Sequence, residues 1–254
     1  MIIAIDIGNS SIKIGFFINK KLIVKSIPTF PVLKKAEYEA LINGFIKEIN
    51  KNKNPEGSII CSVVSRQTEI LFETMRKICR SEPILVSSKI KTGITFSITK
   101  PEELGADRIA NVVAANELYK SPACVVDFGT ATTLSLKGKN EDFIGGAILP
   151  GIKMMKEGLF MKTSKLPDIH IRKPDKALGK DTEGCIQSGI IYGTAGAVER
   201  ILDEMEKETN MNFELVLTGG FCNIISNYIK RKYDIIPYLT INGLKILYMR
   251  NCHA

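Results

Sequence analysis

Two hydrophobic periods alternate along this chain, and the switches between them mark out its elements. Ile2, Ile3, Ala4 and Ile5 run into Asp6 and predict a buried strand at 2–6. A turn follows at Gly8-Asn9. Ile12, Ile14 and Phe16 then alternate with Lys13, Gly15 and Phe17, which predicts a second strand. Beyond Asn19-Lys20-Lys21 the stretch 22–26 closes a three-strand meander. The period then changes: Tyr38, Leu41, Ile42, Phe45, Ile46 and Ile49 recur at helical spacing over 35–50. Asn50 to Gly57 ends that helix. A short strand at 58–64, a helix at 66–80 and a strand at 83–86 follow. Strands separated by helices predict an α/β architecture.

The second half repeats the plan of the first. A helix is expected at 105–119, with Ile109, Val112, Val113 and Leu118 on its apolar side. The apolar run 123–127 ends on Asp127, turns through Phe128-Gly129-Thr130 and returns at 132–136. Strand, Asp-x-Gly, polar residues, strand is also how the chain opens. The chain is therefore read as two tandem halves, 1–119 and 120–254. A strand at 142–148 leads through Pro150-Gly151 into a helix near 151–160. The stretch 163–180 is polar. Asp181 or Thr182 is placed to cap a long helix reaching about 209. A strand at 214–218, a helix near 222–232 after Gly219-Gly220, and a last amphipathic helix after Pro237 complete the pattern.

Composition narrows the chemistry. Of 254 residues, 44% are hydrophobic and 24% charged, enough for a sizeable core and unlike a disordered chain. Lys and Arg total 35 against 27 Asp and Glu, a net charge of +8, but the basic residues are scattered (Lys20-Lys21, Lys34-Lys35, Lys51 and Lys53, Lys230 to Lys232). This reads as solvated faces rather than a nucleic-acid footprint. The six cysteines show no C-x-x-C spacing and mostly sit in apolar context, so reduced, buried thiols of a cytoplasmic protein are expected. Met1 to Ile5 is too short for an export signal, and no run approaches the roughly 18–20 apolar residues of a membrane helix. With only His170 and His253 available, acid–base chemistry falls to carboxylates.

Candidate chemistry gathers at four places. In Asp6-Ile7-Gly8-Asn9-Ser10-Ser11-Ile12-Lys13 a glycine lets the backbone approach an anion. Asn9, Ser10 and Ser11 add donors there, Lys13 adds a point charge, and Asp6 suits a hydrated Mg²⁺. A single such hairpin is no more than a turn. The second, Asp127-Phe128-Gly129-Thr130-Ala131-Thr132-Thr133, makes a pair able to grip a polyphosphate from both sides. Leu217-Thr218-Gly219-Gly220 offers bare backbone for a nucleoside. Gly105-Ala106-Asp107-Arg108 opens a helix. Asp107 there is either a capping acid or an acceptor for the proton of an attacking hydroxyl, and Arg108 a match for a substrate carboxylate. Composition does not choose between these.

The ordered trio of loops resembles the actin, sugar-kinase and Hsp70 class of ATP-binding folds. That resemblance implies two tandem actin-like (ribonuclease H-like) α/β domains, each a mixed sheet flanked by helices, with ATP in the cleft. A closer resemblance, to type III pantothenate kinases, rests on Asp-Ile-Gly-Asn, Gly-Ala-Asp-Arg and Asp-Phe-Gly-Thr-Ala-Thr in that order. Gly146 to Gly151, Lys165-Leu166-Pro167, Gln187 to Gly193 and Leu239 to Leu244 agree. It implies ATP-dependent phosphorylation of pantothenate to 4'-phosphopantothenate, the first step of coenzyme A biosynthesis, by a homodimer. The family's roles then fall on Asp6 to Lys13, Thr130, Gly219 and Gly220 for ATP, with Asp6 near Mg²⁺. Asp107 is implied as catalytic base, and Gly105, Ala106, Asp107 and Arg108 as pantothenate contacts. Asp127 is implied as the ligand of K⁺ or NH₄⁺, and Thr182 as a contact to pantothenate from the neighbouring subunit.

One stretch departs from the family pattern. Where Tyr-x-Asn-Pro is usual, this chain has Ile98-Thr99-Lys100-Pro101. Ile98 keeps an apolar contact but loses a hydroxyl, worth about 0.5–1.5 kcal/mol of binding. Lys100 either compensates by attracting the pantothenate carboxylate or marks a different small hydroxylated acceptor. A non-catalytic, transcription-accessory relative is the remaining alternative. No nucleic acid and no membrane are expected as partners.

Overall fold

The computed structural model describes residues 1–19, 21–49 and 54–252. Lys20, the stretch 50–53 and His253, which entered the sequence reading as turn, helix-end and charged or titratable positions, lie outside the described residues. The chain divides into two compact units. One comprises residues 1–94, 99–114 and the stretch from Leu239 onward; the other comprises 95–98 and 115–238.

The first unit is built on a sheet of order β3-β2-β1-β4-β5. β1 (Ile2–Ile7) pairs antiparallel with β2 (Ser11–Ile18), which pairs antiparallel with β3 (Lys21–Pro28). β4 (Gly57–Ser62) lies parallel to β1 and carries the two-residue β5 (Ile84–Leu85) on its far edge. Side chains alternate across a strand, so Ile3, Ile5 and Ile7 share one face. There they form a core with Tyr38 and Ile42 of α1 (Lys35–Ile49) and Leu71 and Met75 of α2 (Ser65–Cys79).

Small residues open the other face of this sheet. A Cβ on Gly15 would collide with Ile241, and one on Gly57 would lie 3.0 Å from the Tyr248 ring. Both partners belong to α7 (Leu239–Asn251), which therefore lies against bare backbone. Gly15 is opposite Ala4 at mid-strand and Gly57 opposite Ile2, so α7 starts toward the Asp6 end of β1 and descends from it. The expected two halves thus need one amendment. The last helix, placed in the second half by sequence order, packs on the first sheet, and the boundary near 119 falls inside α3 (Ala106–Leu118), between Ala114 and Ala115.

The second unit has a six-stranded sheet of order β11-β10-β7-β8-β9-β6. β7 (Ala123–Phe128), β8 (Ala131–Lys137) and β9 (Asp142–Pro150) form an antiparallel meander, and β10 (Glu214–Thr218) lies parallel to β7. Counted from its own first strand, this is the order of the first sheet with one strand added, β6 (Thr95–Phe96), parallel to β9. Cys124, Val126 and Phe128 face a core supplied by Ile186, Ile190, Ile191, Val198 and Leu202 of α5 (Thr182–Thr209). α4 (Ile152–Lys162) packs beside α5.

One expected element differs, and an unexpected strand follows it. The helix near 222–232 stops after one turn, α6 (Cys222–Ile225), and a 3-10 turn at Ser226–Tyr228 follows. The alternation of Tyr233, Asp234 and Ile235 then makes β11 (Tyr233–Ile235), an edge strand that a run of basic residues disguised. The cysteines are all free; four are buried, Cys185 is exposed and Cys252 half-buried. Among the described residues no helix is long and apolar enough to cross a membrane.

Candidate active site

In the first unit the Asp6 carboxyl stands one residue before the end of β1, opposite Lys13 on β2. Lys13 Nζ lies 3.9 Å from Asp6 Oδ2, and both side chains are largely covered. The hairpin tip closes by Gly8 N donating to Ser11 O at 3.0 Å, with Asn9 and Ser10 exposed. Ile7 and Ile12 are fully buried and root the tip in the core. By strand alternation Asp6 shares its face with Ala4, the face α7 covers.

Asp107 occupies the first turn of α3, where the helix dipole favours a negative charge. Its Oδ1 accepts from the Arg108 backbone N–H at 2.9 Å, and Gly105 leaves room for it, since a Cβ there would lie 2.6 Å from that oxygen. Ala106 is buried beneath. The Arg108 side chain is half-buried; loss of water pushes its pKa down, and Asp107 partly restores it. One turn further on, Asn111 Oδ1 accepts from Thr240 Oγ1 at 2.9 Å with both groups buried. That bond ties the Asp107 end of α3 to the start of α7, on the Asp6 side of the sheet. Lys100, expected to attract a carboxylate, donates to Glu103 Oε1 at 2.6 Å across an exposed pair.

The second unit repeats the acidic strand end. Asp127 stands one residue before the end of β7, opposite Thr133 on β8 and beside Thr218 on β10. Gly129 N donates to Ala131 O at 3.2 Å, a tighter turn than the first hairpin. Two glycines press on it. Gly219 has φ +93°, and a Cβ there would lie 2.5 Å from Phe128 N and closer still to Asp127 Oδ1. Gly151, at the start of α4, donates its N–H to Thr130 O at 3.1 Å, and a Cβ would come within 2.5 Å of Gly129 O. The structure thus brings Asp127, Thr130 and Gly219 together, with Gly220 exposed beside them. Gly151, the strut that supports Thr130, is read from the sequence as a turn and part of a matching stretch, not as a site residue.

Two other expected contacts lie elsewhere in this unit. Ile98 is half-buried just after β6. Thr182 opens α5, and Asp181 is the cap, accepting from Gly184 N at 2.7 Å. Thr182 borders a cavity of about 580 Å³ between α4 and α5 that is walled by Met155, Leu159, Leu166, Ile186 and Ile190. Sequence reasoning missed this apolar groove, although Leu166 and Gln187 to Gly193 had drawn attention as matching stretches. Among the described residues no group of three or more His, Cys, Asp or Glu side chains gathers as a metal site. Asp6 offers one carboxylate of the kind a hydrated divalent ion takes beside ligand oxygens.

Comparison with known proteins places this architecture. The sequence profile of the type III pantothenate kinases matches residues 2–204. The type III pantothenate kinase of Moorella thermoacetica is 37% identical over 253 residues, covering 99% of this chain and all of that one. Among solved structures, a Campylobacter jejuni protein classed with Baf family transcriptional activators superposes with a TM-score of 0.62 at 20% identity, over 99% of this chain and 100% of that one. The polyphosphate/ATP-glucomannokinase of Arthrobacter sp. strain KM does so with 0.53 at 14% identity, over 98% and 99%. These two likenesses bear on the fold. A profile over most of its length and a full-length relative above 30% identity make the chain a member of the type III pantothenate kinase family.

Proposed function

We propose that this chain transfers the γ-phosphoryl group of ATP to the primary hydroxyl of pantothenate, giving 4'-phosphopantothenate at the start of coenzyme A synthesis. One observation carries the reading. The family profile spans residues 2–204, and Asp6, Asp127 and Asp107 each stand at a strand end or helix start, where the carboxyl is presented.

Asp6 to Lys13 bind ATP phosphates through the hairpin tip, and Thr130, Gly219 and Gly220 contact the nucleotide. Asp6 would hold Mg²⁺ with phosphate oxygens, and Asp127 K⁺ or NH₄⁺; these cations neutralise phosphate charge. Asp107 accepts the hydroxyl proton as the oxygen attacks. A carboxylate suffices, because phosphoryl transfer asks chiefly for positioning and charge neutralisation. Arg108 holds the pantothenate carboxylate, with Gly105 and Ala106 shaping the contact and Ile98 packing on the acceptor's apolar part. The Lys100–Glu103 pair is exposed and weak, so Lys100 can exchange Glu103 for a ligand carboxylate at small cost. A second copy of the chain covers the α4–α5 groove and brings its Thr182 to the acceptor. A reducing, cytoplasmic setting agrees with the free thiols.

A coupled ADP-release assay tests the proposal. Pantothenate-dependent turnover is expected, stimulated by K⁺, and Asp107→Asn should lower it by about 10²–10⁴-fold. Turnover that survives this substitution unchanged removes Asp107 from the base role. Ile98 and Lys100 favour a second reading, a different small hydroxylated acceptor, and an acceptor screen in which another alcohol outperforms pantothenate would establish it.

A further inference from the structure

The tip of the first hairpin is braced from below by a buried chain of hydrogen bonds. Thr29, fully buried just after β3, donates its Oγ1 hydroxyl to Gly8 O at 2.6 Å and its N–H to Ser10 O at 3.3 Å. Its own carbonyl accepts from Gln67 Nε2 of α2 at 3.1 Å, and Gln67 is 1% exposed. With Ser11 O taken by Gly8 N, the carbonyl oxygens of Gly8, Ser10 and Ser11 are all engaged inside the fold.

This matters for what the tip presents. A peptide that turns its C=O away presents its N–H on the opposite side, because the two are antiparallel across the planar unit. A tip that faces polyphosphate must show donors; a carbonyl turned outward would add negative charge against negative charge. We propose that Thr29 and Gln67 are positioning residues for ATP: they hold the carbonyls of the Gly8–Ser11 tip inward and so fix its polarity toward phosphate.

Gln67 gives one side-chain bond to this chain of hydrogen bonds, from its amide N–H to the Thr29 carbonyl. An apolar residue of similar size would leave that buried carbonyl without its donor, so glutamine is needed here to hold Thr29 in place.

The proposal rests on the reading of the first hairpin as an ATP loop, and direct titration of Mg·ATP into the full chain separates the two. If the wild-type chain binds no ATP, the functional reading and the proposal fall together. If it binds ATP but does not turn over pantothenate, only the acceptor assignment falls. Thr29→Val keeps the shape and removes the hydroxyl donor; it should weaken ATP binding at least tenfold and raise KM for ATP, with KM for pantothenate unchanged. Thr29→Ser should restore both. Gln67→Leu, measured below its melting temperature, should weaken ATP binding about three- to tenfold with KM for pantothenate unchanged. It decides the matter if Thr29→Val fails to fold. ATP affinity unchanged in a folded Thr29→Val or in Gln67→Leu, or equal losses for ATP and pantothenate, would overturn the proposal.

Discussion

Gly219 carries the most constrained backbone of the candidate site. At φ +93° an L side chain is strained, and the Cβ would strike Phe128 and the Asp127 carboxyl. Gly219→Ala should cost about 1–3 kcal/mol of stability and displace Asp127. Urea denaturation beside a K⁺ titration of activity would show both effects; a variant with parental stability and K⁺ response would contradict the packing described. Arg231 is the opposite case, a surface-coded residue with an inward task. It donates to Glu206 at 2.6 Å and to Asp203, and hydrogen bonding from Arg231 holds the Glu206 carboxyl below its usual range against an opposing effect of burial. A depressed carboxyl pKa contributes stability above the ordinary carboxylate range, and this is lost as pH falls through the folded-state value. Arg231→Met should therefore be less stable than wild type by about 1–3 kcal/mol at neutral pH, with the gap closing as the solution is acidified below the ordinary carboxylate range. A gap that widens in acid would refute the assignment. The strand-end and turn positions of Asp6, Gly8, Asp127 and Gly129 were legible because chain reversals after apolar strands leave few alternatives for them. The pairing of Lys100 with Glu103 was not, since a lysine's sequence context says nothing of which carboxylate its flexible stem will reach.

At the scale of elements, close approach decides the first unit. Gly243 of α7 faces the backbone of α3, and a Cβ there would lie 2.6 Å from Ala110 C and closer still to its oxygen. Gly243→Ala should force the two helices apart, costing about 1–3 kcal/mol by overpacking. Because Thr240 and Asn111 join the same pair of helices one turn from Asp107, kcat should fall as well. Thermal melting with steady-state kinetics would check this, and a variant that loses stability at full kcat would uncouple the α7 contact from Asp107. Periodicity made α1 readable, since the spacing of Tyr38 and Ile42 matches the face they bury, and the cap at Asp181 marked the start of α5. It failed at β6 and β11, two and three residues long, although the equally short β5 was expected within 83–86. Strands this short are held by their partners more than by their own pattern. α6 ends early where Asn227 competes for backbone carbonyls: its Nδ2 donates to the Asn223 carbonyl at 2.7 Å and to that of Ile224 at 3.2 Å.

Across the whole chain, the repeat is the organising fact. Both sheets share one strand order, both place an aspartate one residue before the end of the first strand, and both follow it with an apolar residue and glycine. This much was visible in Asp6-Ile7-Gly8 and Asp127-Phe128-Gly129. The return of the chain to the first unit through α7 was not, because amphipathicity tells that a helix has a buried face but not which sheet receives it. The account stands on phosphoryl transfer to one particular oxygen, and ³¹P NMR of the product formed from ATP and pantothenate reads that oxygen directly. Transfer to the primary hydroxyl predicts a phosphomonoester resonance split into a triplet by two methylene protons, appearing only with active enzyme. A doublet, from a secondary carbinol, or inorganic phosphate and ADP as the only new signals would contradict it.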